Sequence, residues 1–400
     1  MEEWKEYRLI DVLDALIDYR GKTPKKTAFG VPLITAKIIK NGRIETPSEF
    51  ISLNDYDSWM VRGFPKVGDV VLTTEAPLGE VAQLDDANIA LAQRVVTLRG
   101  KSGVLDNTYL KYYFLSNVGH QRLKARETGT TVTGIKQSEL REVIVDVPPY
   151  EIQVRISNIL KSLDDKIEIN RRINENLEQQ AQALFKSWFV DFEPFKDGEF
   201  VESVLGYIPK GWTLKRIFEY VDVIYGAPYK SSLFNDEKEG LPLIRIRDLK
   251  TNNPQFYTPE ILPNTEYIEA GDIVAGMDAE FIPYVWQGER GVLNQRCCKF
   301  KGKYEGISNY FILFLIKPEL EYVQSYKTGT TVSHLGKSDI DRFVFLTPPL
   351  DIVLAFSEIV NPMLNEVVNR AKESRRLADL RDTLLPKLMS GELKVNEVEI

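Results

Sequence analysis

The sequence predicts an α+β protein in which two mixed α/β modules are separated by two long helices that pair as an antiparallel coiled coil. Three observations predict this fold. An internal repeat divides the chain into two similar halves, short strand-like runs fill the first part of each half, and a heptad pattern of apolar residues fills the remainder. The chain is therefore expected to have a pseudo-two-fold internal repeat.

The repeat is clearest in the C-terminal part of each half. The segment Thr128-Gly-Thr-Thr-Val132 recurs 200 residues later as Thr328-Gly-Thr-Thr-Val332, and Pro148-Pro149 recurs at the same spacing as Pro348-Pro349. Upstream the matches are looser: Gly68-Asp69-Val70 with Gly271-Asp272-Ile273, Gln93-Arg94 with Gln295-Arg296, and Pro32-Leu33-Ile34 with Pro242-Leu243-Ile244. The C-terminal part of each half keeps its length, while the length of the N-terminal part differs between the halves. We therefore expect a shared scaffold that carries two different binding surfaces.

The two modules are predicted at residues 1–148 and 197–347, with a short linker at 197–210. Short β-branched runs, broken by Gly, Asn and Pro, predict strands in the first module, for example at 31–35, 69–73 and 143–147. Residues 106–123 and 308–320 are predicted to be matching helices.

The two long helices are predicted at residues 149–196 and, with a C-terminal tail, at 348–400. Apolar residues alternate in steps of four and three through each region, which is typical of a coiled-coil stripe. A helix of about 40 residues is about 60 Å long, and its apolar stripe needs a partner. Pro386 is expected to end or kink the second helix and Gly391 to stop it. Asn170 and Asn174 lie on the stripe, where they either fix its register or face solvent.

Composition excludes several classes of protein. The N-terminus lacks an apolar core of signal-peptide length, and the longest apolar run, at 311–316, is too short for a bilayer, so we expect a cytoplasmic protein without membrane contact. Two histidines and two adjacent cysteines, Cys297 and Cys298, argue against a metal site. The cysteines are interpreted as small hydrophobes at a strand end. A net charge of −7 argues against a strongly basic nucleic-acid binder and suggests that other subunits supply part of the attraction to phosphates.

Four segments together resemble the specificity subunits of Type I restriction–modification systems, over essentially the whole chain. They are the two Thr-Gly-Thr-Thr-Val segments, the aromatic run Ala183-Leu-Phe-Lys-Ser-Trp-Phe-Val-Asp-Phe-Glu-Pro-Phe195, and Leu380-Arg-Asp-Thr-Leu-Leu-Pro-Lys-Leu-Met-Ser-Gly-Glu-Leu393. Any one segment is a weak signal. Their order, module–helix–module–helix, is specific.

The resemblance implies a non-catalytic DNA-binding subunit. Each module would be a target-recognition domain that reads one half of a bipartite, asymmetric site in double-stranded DNA. The helices would act as a spacer and dock two modification (methyltransferase) subunits, which bind S-adenosylmethionine and methylate adenine. Restriction subunits would add ATP- and Mg-dependent translocation and cleavage. The chain itself is expected to carry no cofactor and no metal.

Two rival classes compete with this interpretation, and the first is an enzyme, a fused methylase or nuclease. A fused methylase would need Asp or Asn before Pro-Pro-Tyr/Phe, but the chain has Val147 before Pro148-Pro149-Tyr150 and Thr347 before the second Pro-Pro. The Gly-x-x-x-x-Gly-Lys-Ser/Thr phosphate loop is absent from the sequence. The other rival is a scaffold of two protein-binding modules on a coiled coil. Loss of affinity with rising salt would separate DNA binding from that alternative.

Candidate DNA contacts fall in the turn-rich parts that differ between the modules, and in the repeated loops. Arginine can pair with guanine in two places at once, whereas lysine more often holds phosphate. A solvated charged surface is the alternative for the cations, and a structural turn is the alternative for the threonines. The candidates are Lys22, Lys25, Lys26, Lys37, Lys40, Arg43, Thr130, Thr131 and Lys136 in the first half, and Lys230, Arg245, Arg247, Lys250, Thr330, Thr331 and Lys337 in the second.

Candidate residues for subunit docking lie at the ends of the two helices. Trp188, Phe189 and Phe192 form an aromatic cluster after the first helix, for which core packing is favoured and docking comes next. Arg375, Arg376 and Arg381 lie on the second helix, where they face methylase subunits, spacer DNA or water.

Overall fold

The computed structural model describes residues 4–21, 23–129, 133–327 and 333–398. The chain forms two compact units. Unit 1 comprises Met1–Lys166 with Leu377–Ile400, and unit 2 comprises Ile167–Arg376. Each long helix therefore contributes one end to each unit, a division that differs from the sequence-based boundaries, which keep the helices apart from the modules.

Unit 1 is a strand-rich module with short helices. Its strands are β1 (Lys5–Arg8), β2 (Leu13–Asp18), β3 (Lys26–Thr27), β4 (Val31–Ile34), β5 (Ile39–Lys40), β6 (Arg43–Ile44), β7 (Phe50–Ile51), β8 (Val70–Thr74), β9 (Leu78–Gln83), β10 (Ala90–Leu91), β11 (Val95–Gly100) and β12 (Ile144–Val147). Its helices are α1 (Leu9–Val12), α2 (Leu53–Trp59), α3 (Asn107–Leu115), α4 (Asn117–Lys124), α5 (Gln137–Arg141) and the first part of α6 (Tyr150–Phe189), with a 3-10 turn at Ala36–Ile38.

Unit 2 repeats this organisation. Its strands are β13 (Phe200–Ser203), β14 (Gly206–Pro209), β15 (Thr213–Arg216), β16 (Val221–Tyr225), β17 (Leu241–Ile244), β18 (Tyr257–Thr258), β19 (Tyr267–Ile268), β20 (Ile273–Gly276), β21 (Pro283–Val285), β22 (Gly291–Leu293), β23 (Cys297–Gly302) and β24 (Val344–Thr347). Its helices are α7 (Ile246–Leu249), α8 (Asn309–Lys327), α9 (Lys337–Ile340) and the first part of α10 (Leu350–Met389). The hairpin β13–β14 occupies the predicted linker at 197–210.

One four-stranded sheet has the same topology in both units, and a second sheet shares a parallel pair. One four-stranded sheet has the order β2-β11-β8-β9 in unit 1 and β16-β23-β20-β21 in unit 2. A second sheet contains a short parallel pair, β4 with β10 and β17 with β22, in which Leu33 lies opposite Ala90 and Leu243 opposite Val292. In unit 1 the first strand, β1, pairs with the last, β12; in unit 2 the strand that follows the β13–β14 hairpin, β15, pairs with the last, β24. The predicted repeat and fold class are confirmed.

The two long helices bury their apolar stripes in the cores of the units. The side chains of Ile156 and Leu160 of α6 lie in the core of unit 1 together with Leu388 of α10. In unit 2, Ala181 of α6 lies in the core with Val360 of α10. Burial of each large apolar side chain contributes about 1.5–3 kcal/mol, which offsets the entropy lost in ordering these 40-residue helices.

The helices run antiparallel in each unit. In unit 1, the Arg155 guanidinium donates to Asn396, just beyond the end of α10, and the Arg381 guanidinium of α10 donates to Asp164. Residue numbers therefore rise along α6 while those of the partners fall. In unit 2, the Asn170 amide donates to the Glu373 carboxylate at 2.7 Å, and the Arg370 guanidinium donates back to the Asn170 oxygen at 3.0 Å. Asn170 is fully buried. Of the two readings of this residue, register fixing is the one that the contacts support.

The end of α10 differs in part from the prediction. Of the two outcomes expected at Pro386, a helix end is wrong, because α10 continues to Met389, and a kink stays a prediction. A proline lacks one N–H, but its carbonyl still accepts a bond from Ser390 at 3.0 Å, and the buried side chains of Leu388 and Met389 anchor the last turn. Gly391 follows with φ +70°, as expected for a residue that stops a helix.

The remaining composition-based expectations concern cysteines, metals and membranes. Cys297 and Cys298 are free thiols, fully buried at the start of β23, as interpreted from the sequence. Within residues 4–21, 23–129, 133–327 and 333–398, no cluster of three His, Cys, Asp or Glu residues is arranged to hold a metal ion. In the same part of the chain, no helix combines the length and apolar character that crossing a membrane requires.

Candidate nucleic-acid interface

One edge of unit 1 gathers the ends of several strands and the segments that flank the first Thr-Gly-Thr-Thr-Val loop. The Ile135 N–H, just after the loop, donates to the Thr74 carbonyl at 2.9 Å, and the Thr74 N–H donates to the Arg94 carbonyl at 3.0 Å. The Arg20 guanidinium donates to the Ile135 carbonyl at 2.6 Å. We call this region the loop edge of unit 1. It places the segment that follows the repeated loop beside the Gln93-Arg94 pair.

The parallel strands deliver a predicted DNA contact to the same edge. The Ala92 N–H donates to the Ile34 carbonyl at 2.9 Å, so the chain that leaves β4 passes beside the residue before Gln93. The Thr23 hydroxyl bonds to the Gln93 side chain at 3.2 Å. Lys37 follows on the 3-10 turn and its side chain is exposed. Lys25 and Lys136 are exposed beside these segments as well.

Carboxylates hold several cations of unit 1. Ion pairs at 2.6 to 3.2 Å join Arg20 to Asp18, Lys26 to Glu49, Arg94 to Glu75, and Lys40 to Glu45. A cation held by an acid must exchange that partner to bind phosphate, which lowers the net gain from the contact. Sequence reasoning did not select Arg20 or Arg94 as candidates. The repeat of Gln-Arg in both halves was the signal that could have found Arg94.

Lys40 and Arg43 lie on a small hairpin rather than directly on the loop edge. They face each other as a register pair across β5 and β6. The turn between them is fastened to β9, since the Asn41 N–H donates to Glu80 at 2.9 Å. Gly42 has φ +80° and would place a Cβ only 3.2 Å from Leu115, so this turn requires glycine.

Unit 2 builds the corresponding edge with the same backbone bonds, and we call it the loop edge of unit 2. The Leu335 N–H donates to the Met277 carbonyl at 2.7 Å and the Met277 N–H to the Arg296 carbonyl at 2.8 Å. The Asn294 N–H donates to the Ile244 carbonyl at 3.0 Å, as Ala92 does to Ile34 in unit 1. Arg247, on α7, therefore occupies the place of Lys37.

The side chains at the two loop edges differ. In unit 2, Asp278 accepts from Arg296 at 2.5 Å and lies 2.6 Å from the ring of His334. Burial alone would raise the pKa of the Asp278 carboxyl, but the bonds from His334 and Arg296 outweigh it and the pKa is lowered. The residue equivalent to His334 is Gly134, where a Cβ would lie 2.7 Å from the Thr74 carbonyl. Side-chain chemistry therefore differs on a common backbone.

The predicted cations of unit 2 vary in exposure. Lys230, Arg247, Lys250 and Lys337 are exposed. The Arg245 side chain is only 17% exposed; it stacks on Phe256 at 4.3 Å and lies 3.5 Å from Asp248. Lys230 has its backbone N–H on Glu260 at 2.8 Å. Lys22, Thr130, Thr131, Thr330 and Thr331 lie outside the described residues.

The candidates for subunit docking have separate environments. Phe189 lies 5.0 Å from Phe356, and Phe192 lies 5.3 Å from Trp212, ring centre to ring centre. The half-buried Trp188 also packs on Phe356. These contacts support the packing role that the sequence favoured for the aromatic run. In α10, Arg376 is exposed, Arg375 is half-buried, and Arg381 donates to Asp164 at 2.8 Å.

The sequence matches a family model described as the Type I restriction modification DNA specificity domain. The match covers residues 1–179 and again 209–369, so the model fits each half once. The chain belongs to this family. The double match coincides with the structural repeat of the two units.

Individual relatives give the same result. The chain is 29% identical to the Type I restriction enzyme MjaIX specificity subunit of Methanocaldococcus jannaschii, over 99% of this chain and 95% of the relative. It is 23% identical to the HindI specificity subunit of Haemophilus influenzae, over 98% and 100%. A crystal structure of a Type I restriction–modification S subunit from M. genitalium has the same fold, with TM-score 0.54, 17% identity and 96% coverage of both chains.

Family membership resolves the rival classes. The protein is a DNA-specificity subunit of the Type I restriction–modification class, and it is a non-catalytic component rather than a methylase or nuclease. The resemblance inferred from the four sequence segments is confirmed.

Proposed function

We propose that each unit reads one half of a bipartite, asymmetric site in double-stranded DNA, and that α6 and α10 set the spacing of the halves and dock two modification subunits. The observation that carries this proposal is the pair of loop edges. Two copies of one backbone arrangement present different side chains, Lys37 against Arg247 and Gly134 against His334. Equivalent frameworks with unlike chemistry suit two unlike half-sites.

The proposal assigns separate roles to the exposed cations. Lys25, Lys37 and Lys136 of unit 1, and Lys230, Lys250 and Lys337 of unit 2, would hold phosphate, because lysine carries a compact charge without a planar pairing face. Arg247 is exposed next to the parallel strand pair and is the best placed to contact a base. Arg245 is mostly buried against Phe256, and we assign it to positioning α7.

The net charge of −7 bears on the partners. Many cations at the loop edges already face acids, so the chain alone supplies little attraction to DNA. Modification and restriction subunits would supply the remainder, and with them S-adenosylmethionine, ATP and Mg. Such a complex acts on DNA in the cytoplasm.

The test is to co-express the chain with a modification subunit of its own system and locate methylated adenines in the host genome by long-read sequencing. One two-part motif with a fixed gap is expected. Replacing residues 205–347 with the same region of a relative should change one half of the motif and leave the other half and the gap unchanged. If the subunits co-purify and the methylase binds its cofactor, but new methylation is missing, the proposed reading of two half-sites fails.

A further inference from the structure

Unit 1 contains a charged cluster where its long helices meet α3; two of its residues are buried and the other two are half-buried. The Arg381 guanidinium of α10 donates to one oxygen of the Asp164 carboxylate of α6 at 2.8 Å. The other oxygen accepts from the Tyr112 hydroxyl at 2.7 Å and lies 3.3 Å from the Lys111 ammonium. The Lys111 residue is only 8% exposed. We call these four residues the charged cluster.

Unit 2 has apolar residues at all four equivalent positions. Shifted by the repeat, Asp164 and Arg381 correspond to Leu364 and Ala181, while Lys111 and Tyr112 of α3 correspond to Leu313 and Phe314 of α8. All four of these residues are buried and belong to the core of unit 2: Ala181 at 0%, Leu313 at 3%, Phe314 at 5% and Leu364 at 7% exposure. The same structural position is therefore occupied by charged and polar side chains in unit 1 and by apolar side chains in unit 2.

This difference matters because the two long helices resemble each other. α6 and α10 each span 40 residues and carry apolar residues at equivalent positions. The apolar face of α6 in one chain can therefore pair with α6 of a second chain. In that like-with-like pairing Ala181 would stand beside Asp164 in place of Arg381. The α10 helices, paired with each other, would place Arg381 among Leu313 and Leu364 without Asp164, and only the exposed Asp382 beside it on α10 would remain as an acid. A charge moved into an apolar core away from its main partner is strongly unfavourable.

Side-chain size acts in the same direction. The end of α6 carries Phe185, Trp188 and Phe189, whereas the equivalent positions of α10 are Leu385, Leu388 and Met389. In unit 2, Phe189 packs on Phe311 and Phe356 with ring centres 5.3 and 5.0 Å apart. In unit 1, Leu388 and Met389 are buried at 0% and 3% exposure. A like-with-like pairing would drive large rings into a core packed around aliphatic side chains.

We infer that the charged cluster selects the pairing of α6 with α10 and rejects pairing of either helix with its own counterpart in a second copy of this chain. The charges act by raising the free energy of the wrong pairing rather than by stabilising the right one. Buried ion pairs are replaced by apolar residues at little cost in stability, but they are costly when one partner is missing. The inference holds whatever DNA sequence the protein reads.

The test replaces the charged cluster of unit 1, in the full-length chain, with the equivalent apolar residues of unit 2. The variant carries Lys111→Leu, Tyr112→Phe, Asp164→Leu and Arg381→Ala. Asn170→Cys is added as a probe, because Asn170 contacts Arg370, its equivalent on α10. When α6 pairs with α6, two introduced cysteines face each other and form a disulfide between chains. When α6 pairs with α10, they do not.

Each chain is unfolded in urea, refolded with oxidised glutathione, and run on a non-reducing gel. We expect a disulfide-linked dimer at least tenfold more abundant in the five-substitution variant than in Asn170→Cys alone. Two further variants also carry Asn170→Cys. Arg381→Ala should give an intermediate amount of the disulfide-linked dimer. Arg376→Ala, which removes an exposed arginine of α10, should give no more dimer than Asn170→Cys alone.

Circular dichroism and the urea midpoint establish that each variant has refolded. If the five-substitution variant refolds and its dimer fraction equals that of Asn170→Cys alone, the inference is overturned. If the five-substitution variant fails to refold, Arg381→Ala decides: no rise over the Arg376→Ala control overturns the inference, and a rise supports it.

Discussion

Units 1 and 2 share a backbone arrangement but solve the same packing problem with different chemistry. The strand order of one four-stranded sheet, the parallel pair and the bonds of the loop edges agree between them. Where the long helices meet, however, unit 1 holds a half-buried ion pair between Asp164 and Arg381, and unit 2 buries Leu364 and Ala181. The difference teaches that the repeat fixes where side chains stand, while the choice between charge and apolar contact remains free at each position.

The largest effect is expected from placing the charge of unit 1 into unit 2. Ala181→Arg introduces a cation at a fully buried position surrounded by apolar residues. It should destabilise unit 2 by about 4 kcal/mol, through an unpaired charge and overpacking. Urea unfolding followed by tryptophan fluorescence measures the change. Gln182→Arg, at the exposed neighbouring position, is the control and should change stability by less than about 0.5 kcal/mol.

Removing the acid of the charged cluster should have the next largest effect. Asp164→Ala removes the carboxylate that the buried Lys111 contacts and that, together with the exposed Asp382, binds Arg381, and it should cost unit 1 about 3 kcal/mol. Burial would raise the pKa of the Asp164 carboxyl, but Lys111, Arg381 and Tyr112 lower it overall. The carboxylate therefore contributes stability that is fully present above its ordinary pKa of 3.8 and is lost as pH falls through the lower folded-state value.

The pH dependence separates charge from packing. The stability difference between the wild-type chain and Asp164→Ala should be largest near neutrality and should shrink as the pH is lowered below 3.8. A difference that stays constant over this range would mean that the substitution acts through lost packing alone.

Smaller effects are expected at the equivalent exposed cations of the loop edges. Lys37→Ala and Arg247→Ala should each weaken DNA binding by the assembled complex by about 1–2 kcal/mol. Loss of a phosphate contact at Lys37 should reduce the salt slope by about 0.9 without changing the motif. Arg247→Ala should relax the base preference in one half-site. Binding titrations at several salt concentrations measure both. Lys210→Ala, in an exposed pair with Glu199, should leave affinity unchanged.

The smallest effect is expected where a charged pair of α6 is exposed. Lys161 and Asp165 are paired one helical turn apart and both side chains are about half exposed, 49% and 55%. Lys161→Ala should change stability by less than about 0.5 kcal/mol, because water and salt screen such pairs. If Lys161→Ala lowered the free energy of unfolding as much as Asp164→Ala does, burial would not explain the difference between the ion pairs of Asp164 and Asp165.

Much of the architecture could be predicted from sequence. The repeat, the long helices and the equivalence of Arg247 in unit 2 with Lys37 in unit 1 all follow from the register of the repeat and the periodicity of apolar residues. The exposure of individual cations could not be predicted, since a sequence does not show that Arg245 stacks on Phe256, which lies eleven residues further along the chain. Nor could the end of α10, because Leu388 and Met389 gain more from burial in unit 1 than the helix loses at Pro386.

The two buried thiols of β23 make the protein well suited to site-directed labelling. Desolvation raises the pKa of both cysteines, that of Cys298 to about 12. The higher pKa leaves less of each thiol as the reactive thiolate, and both side chains are closed to reagents because they are fully buried. A fluorophore offered to the folded chain should therefore react with an introduced surface cysteine and spare the native pair. Dyes placed in this way on the two units would report the distance between them in solution, with and without DNA.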